Sequence, residues 1–219
     1  MDILSSIFIC GIPLLLAITL HEAAHGYAAL YYGDDTAKRM GRISLNPLRH
    51  IDLMGTILLP GFLIFAGSPV VFGYAKPVPV NFSRLRDPRR DSVFVAGAGP
   101  ATNLFLAFLS ALLFHILIFF PPEVNLLLQE MFKFSLIINV TLAVFNMIPI
   151  PPLDGGRVAV GLLPKELALP LARLEPYGIF IILGLIVIPS FFKVDIFAWL
   201  ILPPIQSIIK IISFLSGLS

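Results

Sequence analysis

The chain has 219 residues, of which 58% are hydrophobic and only 13% are charged, and its mean hydropathy is +0.94. A soluble domain carries about 25% charged residues, so this composition excludes one and indicates an integral membrane protein. The formal net charge of +2 gives no sign of a nucleic-acid partner. The single cysteine, Cys10, excludes an intrachain disulfide, so packing within lipid must hold the fold together.

Apolar runs long enough to cross a bilayer, about 20 residues, recur along the whole chain. We expect transmembrane helices near residues 3–31, 92–120, 127–148, 177–191 and 196–215. The first run lacks a signal-peptide cleavage site followed by a polar mature region, so we expect it to be retained. The sequence therefore predicts an all-α polytopic membrane protein with about five transmembrane helices.

A sixth apolar run, at 53–71, is interrupted by glycines and prolines. Lys and Arg in short loops favour the cytoplasmic side of the membrane, and basic residues lie on both flanks of this run, at Lys38, Arg39, Arg42 and Arg49 before it and at Lys76, Arg84, Arg86, Arg89 and Arg90 after it. Because a full span would separate the two flanks, we expect a re-entrant or surface-lying segment, with a full span as the alternative.

The same charge rule orients the other helices in a multi-pass protein of the cell membrane. The segment at 119–125 has no basic residue and is predicted to lie outside, whereas the segment carrying Arg157, Lys165 and Arg173 is predicted to lie inside. The N-terminus then lies outside, and the C-terminal end of the first helix reaches the cytoplasmic face.

Two stretches between the helices show short alternating patterns punctuated by Gly and Pro, "KRMGRISLNPL" at 38–48 and "VVFGYAKPVPVNF" at 70–82. Such patterns are typical of brief strands, so we expect short β-hairpins at the cytoplasmic face. An exposed edge of either hairpin could hold an extended peptide by β-addition. A membrane-surface hairpin with no binding role is an equal alternative.

The first helix ends in the pattern H-E-x-x-H, formed by His21, Glu22 and His25. Helical side chains four residues apart lie on one face, so both imidazoles can bind one metal ion. Glu22 is offset by about 100° from His21, which places its carboxylate beside the metal, where a general base can act on water. Two interfacial anchoring histidines are the alternative, but polar groups in membrane segments are costly and usually functional.

A catalytic zinc site commonly has three protein ligands and one open position. His115 lies toward the outer end of its helix and His50 lies in the basic hairpin region, so we expect packing or hydrogen bonding from these two histidines. Asp154 is the better candidate. It follows a helix break that Pro149, Pro151 and Pro152 impose, at the predicted level of the histidines. Capping of the next helix is its alternative role.

These residues together resemble the site-2 protease family of intramembrane zinc metalloproteases. The resemblance rests on the H-E-x-x-H motif, on N-x-x-P-x-P-x-L-D-G from Asn146 to Gly155, and on G-P-x-x-N at Gly99, Pro100 and Asn103. It covers about 3–164 and looks like the compact branch without PDZ or CBS domains. It implies a metalloprotease catalytic core at about 3–164, followed by additional helices at about 177–215. Because no internal repeat, low-complexity tail or long linker interrupts the chain, we expect a single membrane-embedded metalloprotease domain over 1–219.

The resemblance also implies the roles of single residues. His21, His25 and Asp154 would bind one zinc ion (Zn²⁺) per chain, and Glu22 would be the catalytic acid and base. Asn146 would orient the substrate or polarise its carbonyl, and Gly99, Pro100 and Asn103 would support the site.

The expected function is therefore a zinc-dependent endopeptidase that cuts peptide bonds in or near the transmembrane segments of membrane proteins, with those proteins and the lipid bilayer as partners. A metal-binding or metal-transporting membrane protein without proteolytic activity is the alternative. Glu22 discriminates between them, because a transporter needs no general base beside a three-ligand site.

Overall fold

The computed structural model describes residues 3–65, 73–191 and 196–218, and these residues form helices joined by turns and extended segments. The α-helices are α1 (Ile3–Ser6), α2 (Ile12–Tyr31), α3 (Thr36–Arg39), α4 (Leu59–Phe65), α5 (Pro88–Leu113), α6 (Pro122–Asn146), α7 (Asp154–Leu162), α8 (Lys165–Ala172), α9 (Gly178–Phe191) and α10 (Ile196–Ser216). π-Helical turns lie at Ile7–Gly11 and Leu53–Leu58, and 3₁₀ turns lie at Pro47–Arg49, Phe82–Arg84, Phe114–Phe119 and Glu175–Tyr177.

Five helical stretches in the described part of the chain are long and apolar enough to cross a membrane, namely Leu4–Tyr31, Pro88–Phe119, Pro122–Asn146, Lys165–Gly184 and Trp199–Ser216. They confirm the predicted all-helical, multi-pass class. The fourth stretch begins at Lys165 rather than near residue 177, because it includes α8 and the 3₁₀ turn Glu175–Tyr177 that precede α9.

Helix α5 is the centre of the bundle and packs against α2, α6, α7 and α10. Its small residues Ala107 and Ala111 lie in a buried cluster with Leu136 and Val140 of α6 and with isoleucines of α10. Small side chains allow helix backbones to approach closely, which is how helices gain packing energy in lipid. The C-terminal helix α10 thus belongs to the same core as α5 and α6.

The described part of the sixth apolar run is a helical segment that is too short to span a bilayer. Its apolar helix covers Leu53–Leu63, against the roughly 20 residues that a span needs. The backbone of Tyr74 holds this segment in place. Tyr74 N donates to Gly55 O at 3.0 Å, and Tyr74 O accepts from Thr56 Oγ1 at 3.0 Å. Residues 66–72 lie outside the described residues, so the re-entrant course stays a prediction.

The predicted β-hairpins are not found, because the described residues contain no strand. The described part of the second stretch, from residue 73 to 81, is extended but bonds to loops and side chains. Lys76 N, for example, donates to His50 O at 2.8 Å. Pro77 and Pro79 have no N–H group, so this segment cannot supply a regular ladder of donors. The first stretch is occupied by the end of α3, by turns and by Pro47–Arg49.

A buried carboxylate ties the extended segment to the end of α2. Asp34 is 1% exposed, and it accepts hydrogen bonds from Thr36 N at 3.0 Å, from Thr36 Oγ1 at 2.5 Å and from Asn81 N at 2.7 Å. Burial alone would raise the pKa of Asp34, but these hydrogen bonds and nearby Arg84 outweigh burial and lower it. Asp34 therefore anchors the segment of residues 73–81, through Asn81, beside the C-terminal end of α2.

We expect Asp34→Asn to destabilise the protein in a pH-dependent way. A carboxyl with a lowered folded-state pKa stabilises the fold above its unfolded pKa, and that contribution disappears as the pH falls through the folded pKa. At pH 7 the free energy of unfolding should fall by about 1–3 kcal/mol, and the deficit should shrink below about pH 4. Unfolding in detergent micelles across a pH series measures it.

The matched control is Asp35→Asn, which removes the exposed ion pairs to Arg39 and Arg84 and should cost only about 0.5 kcal/mol. A deficit of the Asp34 variant that is equal at pH 3 and pH 7 would contradict this account.

Candidate metal centre

Three potential ligand atoms converge where α2 meets the start of α7. His21 Nε2 and His25 Nε2 lie 3.0 Å apart, and Asp154 Oδ2 lies 3.2 Å from the first and 3.3 Å from the second. All three residues are buried. In the described residues they form one group of ligand atoms that could hold a metal ion. The structure thus brings together the two histidines of the first motif and the aspartate of the second.

Hydrogen bonds on the far side of each ring fix which imidazole nitrogen faces this centre. His25 Nδ1 lies 2.7 Å from Val95 O, and His21 Nδ1 lies 2.6 Å from Asn103 Oδ1. Both oxygens are acceptors, so each Nδ1 carries the proton and donates, and each Nε2 presents a lone pair to the centre.

Two lone pairs and a carboxylate oxygen therefore face one another. Asp154 Oδ2 is buried and has no hydrogen-bond partner among the described residues. Such an orphaned group is costly in an apolar interior, and a cation between the three atoms would satisfy all of them. Two imidazole nitrogens and one carboxylate, with a further position left for water, suit a catalytic zinc ion.

Asp154 lies beside the histidines because Gly155 and Gly156, in the first turn of α7, allow a very close approach to the backbone of the turn that follows α6. A Cβ atom on Gly155 would lie 2.2 Å from Met147 O, and one on Gly156 would lie 2.3 Å from Pro151 N. Leu153, not Asp154, is the N-cap of α7, and the N-cap side chain makes no capping bond. Capping does not explain Asp154, so the carboxylate is left for the metal centre.

An arginine of α5 holds the other end of α7. Arg89 Nε donates to Gly161 O at 3.1 Å, and Arg89 Nη2 donates to Leu163 O at 2.5 Å. These carbonyls lie at the C-terminal end of α7, where a cation also complements the helix dipole. Arg89 thereby keeps α7 against α5, with Asp154 at the opposite end of the short helix.

Glu22 lies next to His21 but points to a different partner. Its carboxylate is half-buried, and Oε2 accepts a hydrogen bond from Val78 N at 2.7 Å. Val78 belongs to the extended segment that Asp34 anchors, so the backbone of that segment holds one oxygen of Glu22. Glu22 is not a member of the three-ligand group.

Comparisons with known proteins agree with this constellation. The family model described as Peptidase family M50 matches residues 116–188. YwhC of Bacillus subtilis is 39% identical over 182 residues, which cover 81% of this chain and 80% of that protein. The chain belongs to peptidase family M50. Rip2 of Mycolicibacterium smegmatis is 31% identical over 176 residues, covering 80% of this chain and 65% of that protein.

Both of these M50 relatives are named as putative zinc metalloproteases. No solved structure shows a significant match to the chain. Membership of M50 confirms the resemblance to site-2 proteases on which the sequence analysis relied, and it makes the chain a member of a zinc metalloprotease family.

The G-P-x-x-N motif, on α5, lies directly against the histidines. A Cβ atom on Gly99 would lie 2.5 Å from His25 Nε2 and 2.6 Å from His21 Nε2. Pro100 is buried beside it, and Asn103 is the hydrogen-bond partner of His21. Glycine at 99 therefore keeps the space between the two imidazoles open.

The other candidates behave differently. Asn146, at the end of α6, donates from Nδ2 to Leu142 O at 3.0 Å, so its predicted role with substrate stays a prediction. His50 and His115 each bond to a backbone carbonyl, Ser44 O at 2.8 Å and Ser216 O at 2.7 Å respectively. As expected, neither belongs to the metal-binding group.

Sequence reasoning missed Val78, Val95 and Asn139. The first two act through backbone atoms, N–H and C=O, for which the sequence carries no signal. Asn139 is a buried amide in the middle of an apolar helix, and the cost of burying an amide there could have drawn attention to it.

We expect Gly99→Ala to abolish zinc binding, because the added methyl group would occupy the space beside both Nε2 atoms. Gly97→Ala is the matched control, since a Cβ atom there has no neighbour within 4 Å. Metal analysis of purified protein in detergent, by inductively coupled plasma mass spectrometry, measures zinc per chain. Wild-type zinc content in the Gly99 variant would refute the assigned centre.

Proposed function

We propose that this M50 protein is a zinc-dependent intramembrane endopeptidase that hydrolyses peptide bonds in or near the transmembrane segments of membrane proteins. The observation that carries the proposal is the meeting of His21 Nε2, His25 Nε2 and Asp154 Oδ2, because both histidines lie on a helical stretch, Leu4–Tyr31, that is long and apolar enough to cross a membrane. A metal centre in that position reaches peptide bonds that lie within or close to a bilayer, and the lipid bilayer is then a partner of the enzyme.

In the proposed centre, one zinc ion per chain is held by His21, His25 and Asp154. Bound zinc supplies a Lewis acid that polarises the scissile carbonyl and lowers the pKa of a bound water. The fit rests on the orphaned Asp154 oxygen and on the two facing Nε2 lone pairs.

Glu22 is the proposed general base and acid. Val78 N already occupies Oε2, so Oε1 is the oxygen free to take a proton from the attacking water. Glu22 then returns that proton to the nitrogen of the leaving amine. The hydrogen bond from Val78 also fixes the direction of the carboxylate, which otherwise has rotational freedom at the partly exposed end of its side chain.

Asn146 is the proposed substrate-orienting residue. Its Nδ2 carries two protons, and Leu142 O takes one of them. The remaining proton is available to donate to a substrate carbonyl, which is the role implied by its position in the motif that also supplies Asp154. Gly99, Pro100 and Asn103 support the centre from α5.

We also propose that the whole chain, 1–219, is one metalloprotease domain with its active site near the cytoplasmic face. The shared core of α5, α6 and α10 supports a single domain. Basic side chains gather on the segments over α2, and Arg42 donates to Arg49 O, Lys76 O and Pro77 O. Under the positive-inside rule these segments lie on the cytoplasmic side.

Glu22→Gln should abolish cleavage while leaving zinc bound. Removing the general base should lower the rate by about 10²–10⁴-fold, whereas the three-ligand group is untouched. Wild-type and variant protein, each in proteoliposomes with a set of single-span membrane proteins, would be compared by mass spectrometry of the fragments, with metal analysis in parallel.

The matched control is Glu130→Gln, an exposed glutamate of α6, which should cleave like the wild type. Cleavage by the Glu22 variant at the wild-type rate would refute the mechanism. Zinc flux into the vesicles by a wild type that cuts nothing would favour a transporter instead.

Val78→Pro should lower kcat by about 10-fold or more, because it removes the N–H that holds Glu22 and a hydrogen bond to a charged group is worth about 1.5–3 kcal/mol. Val78→Ala keeps the N–H and should retain most activity. Zinc content and KM should stay unchanged in both variants, as measured by metal analysis and by initial rates on a cleaved substrate. Equal kcat losses in both variants would contradict the role of the N–H.

A further inference from the structure

A chain of buried amides leads from the metal centre into the middle of α6. Asn103 of α5 and Asn139 of α6 are 0% and 1% exposed. Asn103 Oδ1 faces His21 Nδ1 at 2.6 Å, and Asn103 Nδ2 donates to Asn139 Oδ1 at 2.9 Å. Asn139 Nδ2 in turn donates to Ser135 O at 2.9 Å. Polar groups at such depth are costly in a membrane protein, so their alignment calls for a reason.

Backbone carbonyls fix the direction of this chain. Ser135 O can only accept, so the amide nitrogen of Asn139 must lie on that side and its oxygen must face Asn103. Asn103 then meets only acceptors on its nitrogen side, since Nδ2 also lies 3.3 Å from Ala17 O. The oxygen of Asn103 is therefore directed to His21, because a flipped amide would turn that oxygen toward Asn139 Oδ1 and Ala17 O, two acceptors that have no proton to donate to it.

The direction of the chain decides which nitrogen of His21 is protonated. Facing an acceptor oxygen, Nδ1 must carry the proton and donate, which leaves the Nε2 lone pair in the centre. A neutral histidine free in water prefers the opposite form, with its proton on Nε2, and in that form Nε2 cannot bind a metal. The protein therefore has to impose the less favoured form on His21.

The two histidines reach this state by different routes. His25 donates directly to Val95 O, and a backbone carbonyl can only accept a hydrogen bond. His21 depends on a side-chain amide, which offers a donor and an acceptor at similar positions and needs a further group to fix its orientation. Asn139 is that group.

We propose that Asn139 is a positioning residue of the metal centre, which acts through Asn103 to hold the proton of His21 on Nδ1 and keep Nε2 free for zinc. The proposal rests on the metal centre of the proposed function. It concerns the metal-free protein as well, so it can be tested without proteolysis.

The direct test is nitrogen NMR of protein labelled with ¹⁵N-histidine, in detergent and with zinc removed by a chelator, because ring ¹⁵N shifts distinguish the two protonated forms. In the wild type, both His21 and His25 should carry the proton on Nδ1. In Asn139→Leu, His21 should shift toward the Nε2 form while His25 stays unchanged. His25 thus serves as an internal reference for general damage to the site.

Zinc affinity, measured by competition with a chromophoric chelator, gives a second readout. Asn139→Leu should weaken binding by about 10–100-fold, the usual loss when a partner behind a metal-binding histidine is removed. If leucine at this position impairs folding, the smaller Asn139→Ala substitution takes its place. It should give the same change in the protonated form of His21 and the same loss of zinc affinity. Asn139→Asp should restore both readouts, since a buried neutral carboxyl can donate to Ser135 O and accept from Asn103.

Ser110→Ala is the matched control. Ser110 is a buried polar residue whose Oγ lies 2.7 Å from Ser135 Oγ, and that hydroxyl lies 3.4 Å from Asn139 Nδ2. Because the shorter bond from Asn139 to Ser135 O remains, loss of the Ser110 hydroxyl should change neither the form of His21 nor zinc affinity. The proposal is overturned if His21 keeps its Nδ1 proton in Asn139→Leu, or if His25 shifts equally. A wild-type protein in which His21 and His25 both carry the proton on Nδ1, but which cleaves no membrane protein, would instead refute the proposed function.

Discussion

One face of α5 holds the candidate metal centre together, and the remaining geometry of the site depends on this face. Val95, Gly99 and Asn103 are spaced four residues apart and so lie on one side of the helix. The first supplies a carbonyl to His25, the second leaves the space between the rings open, and the third supplies an amide oxygen to His21. Because α2 packs on this face and Arg89 holds α7 nearby, His21 Nε2, His25 Nε2 and Asp154 Oδ2 lie within about 3.3 Å of one another.

The sequence predicted the parts of this arrangement that depend on local spacing. The four-residue interval of His21 and His25 places two imidazoles on one helical face whatever surrounds them, and the prolines before Asp154 must end α6. The five spans followed from hydropathy because only a helix satisfies its own backbone in lipid. The match to family M50 then supported the chemistry that these local patterns indicate.

What the sequence did not predict depends on distant partners. The segment at 73–81 alternates like a strand, yet its donors bond to other residues, among them His50 and Glu22, and two of its residues are prolines. Whether an extended segment joins a ladder is decided by what lies beside it. The contact between Val78 and Glu22 was hidden for the same reason, since a backbone N–H has no residue type that marks it.

The position of Asp154 along the chain has a consequence for how the protein is made. Asp154 follows α2, α5 and α6 in the sequence, so the ligand set is incomplete until three long helices have been synthesised. A nascent chain holds two histidines one turn apart, and two ligands fall short of the three that a catalytic site uses. With the proposed ligand set, zinc acquisition would be a late step of biogenesis, and a partly inserted chain would carry no complete hydrolytic centre during membrane insertion.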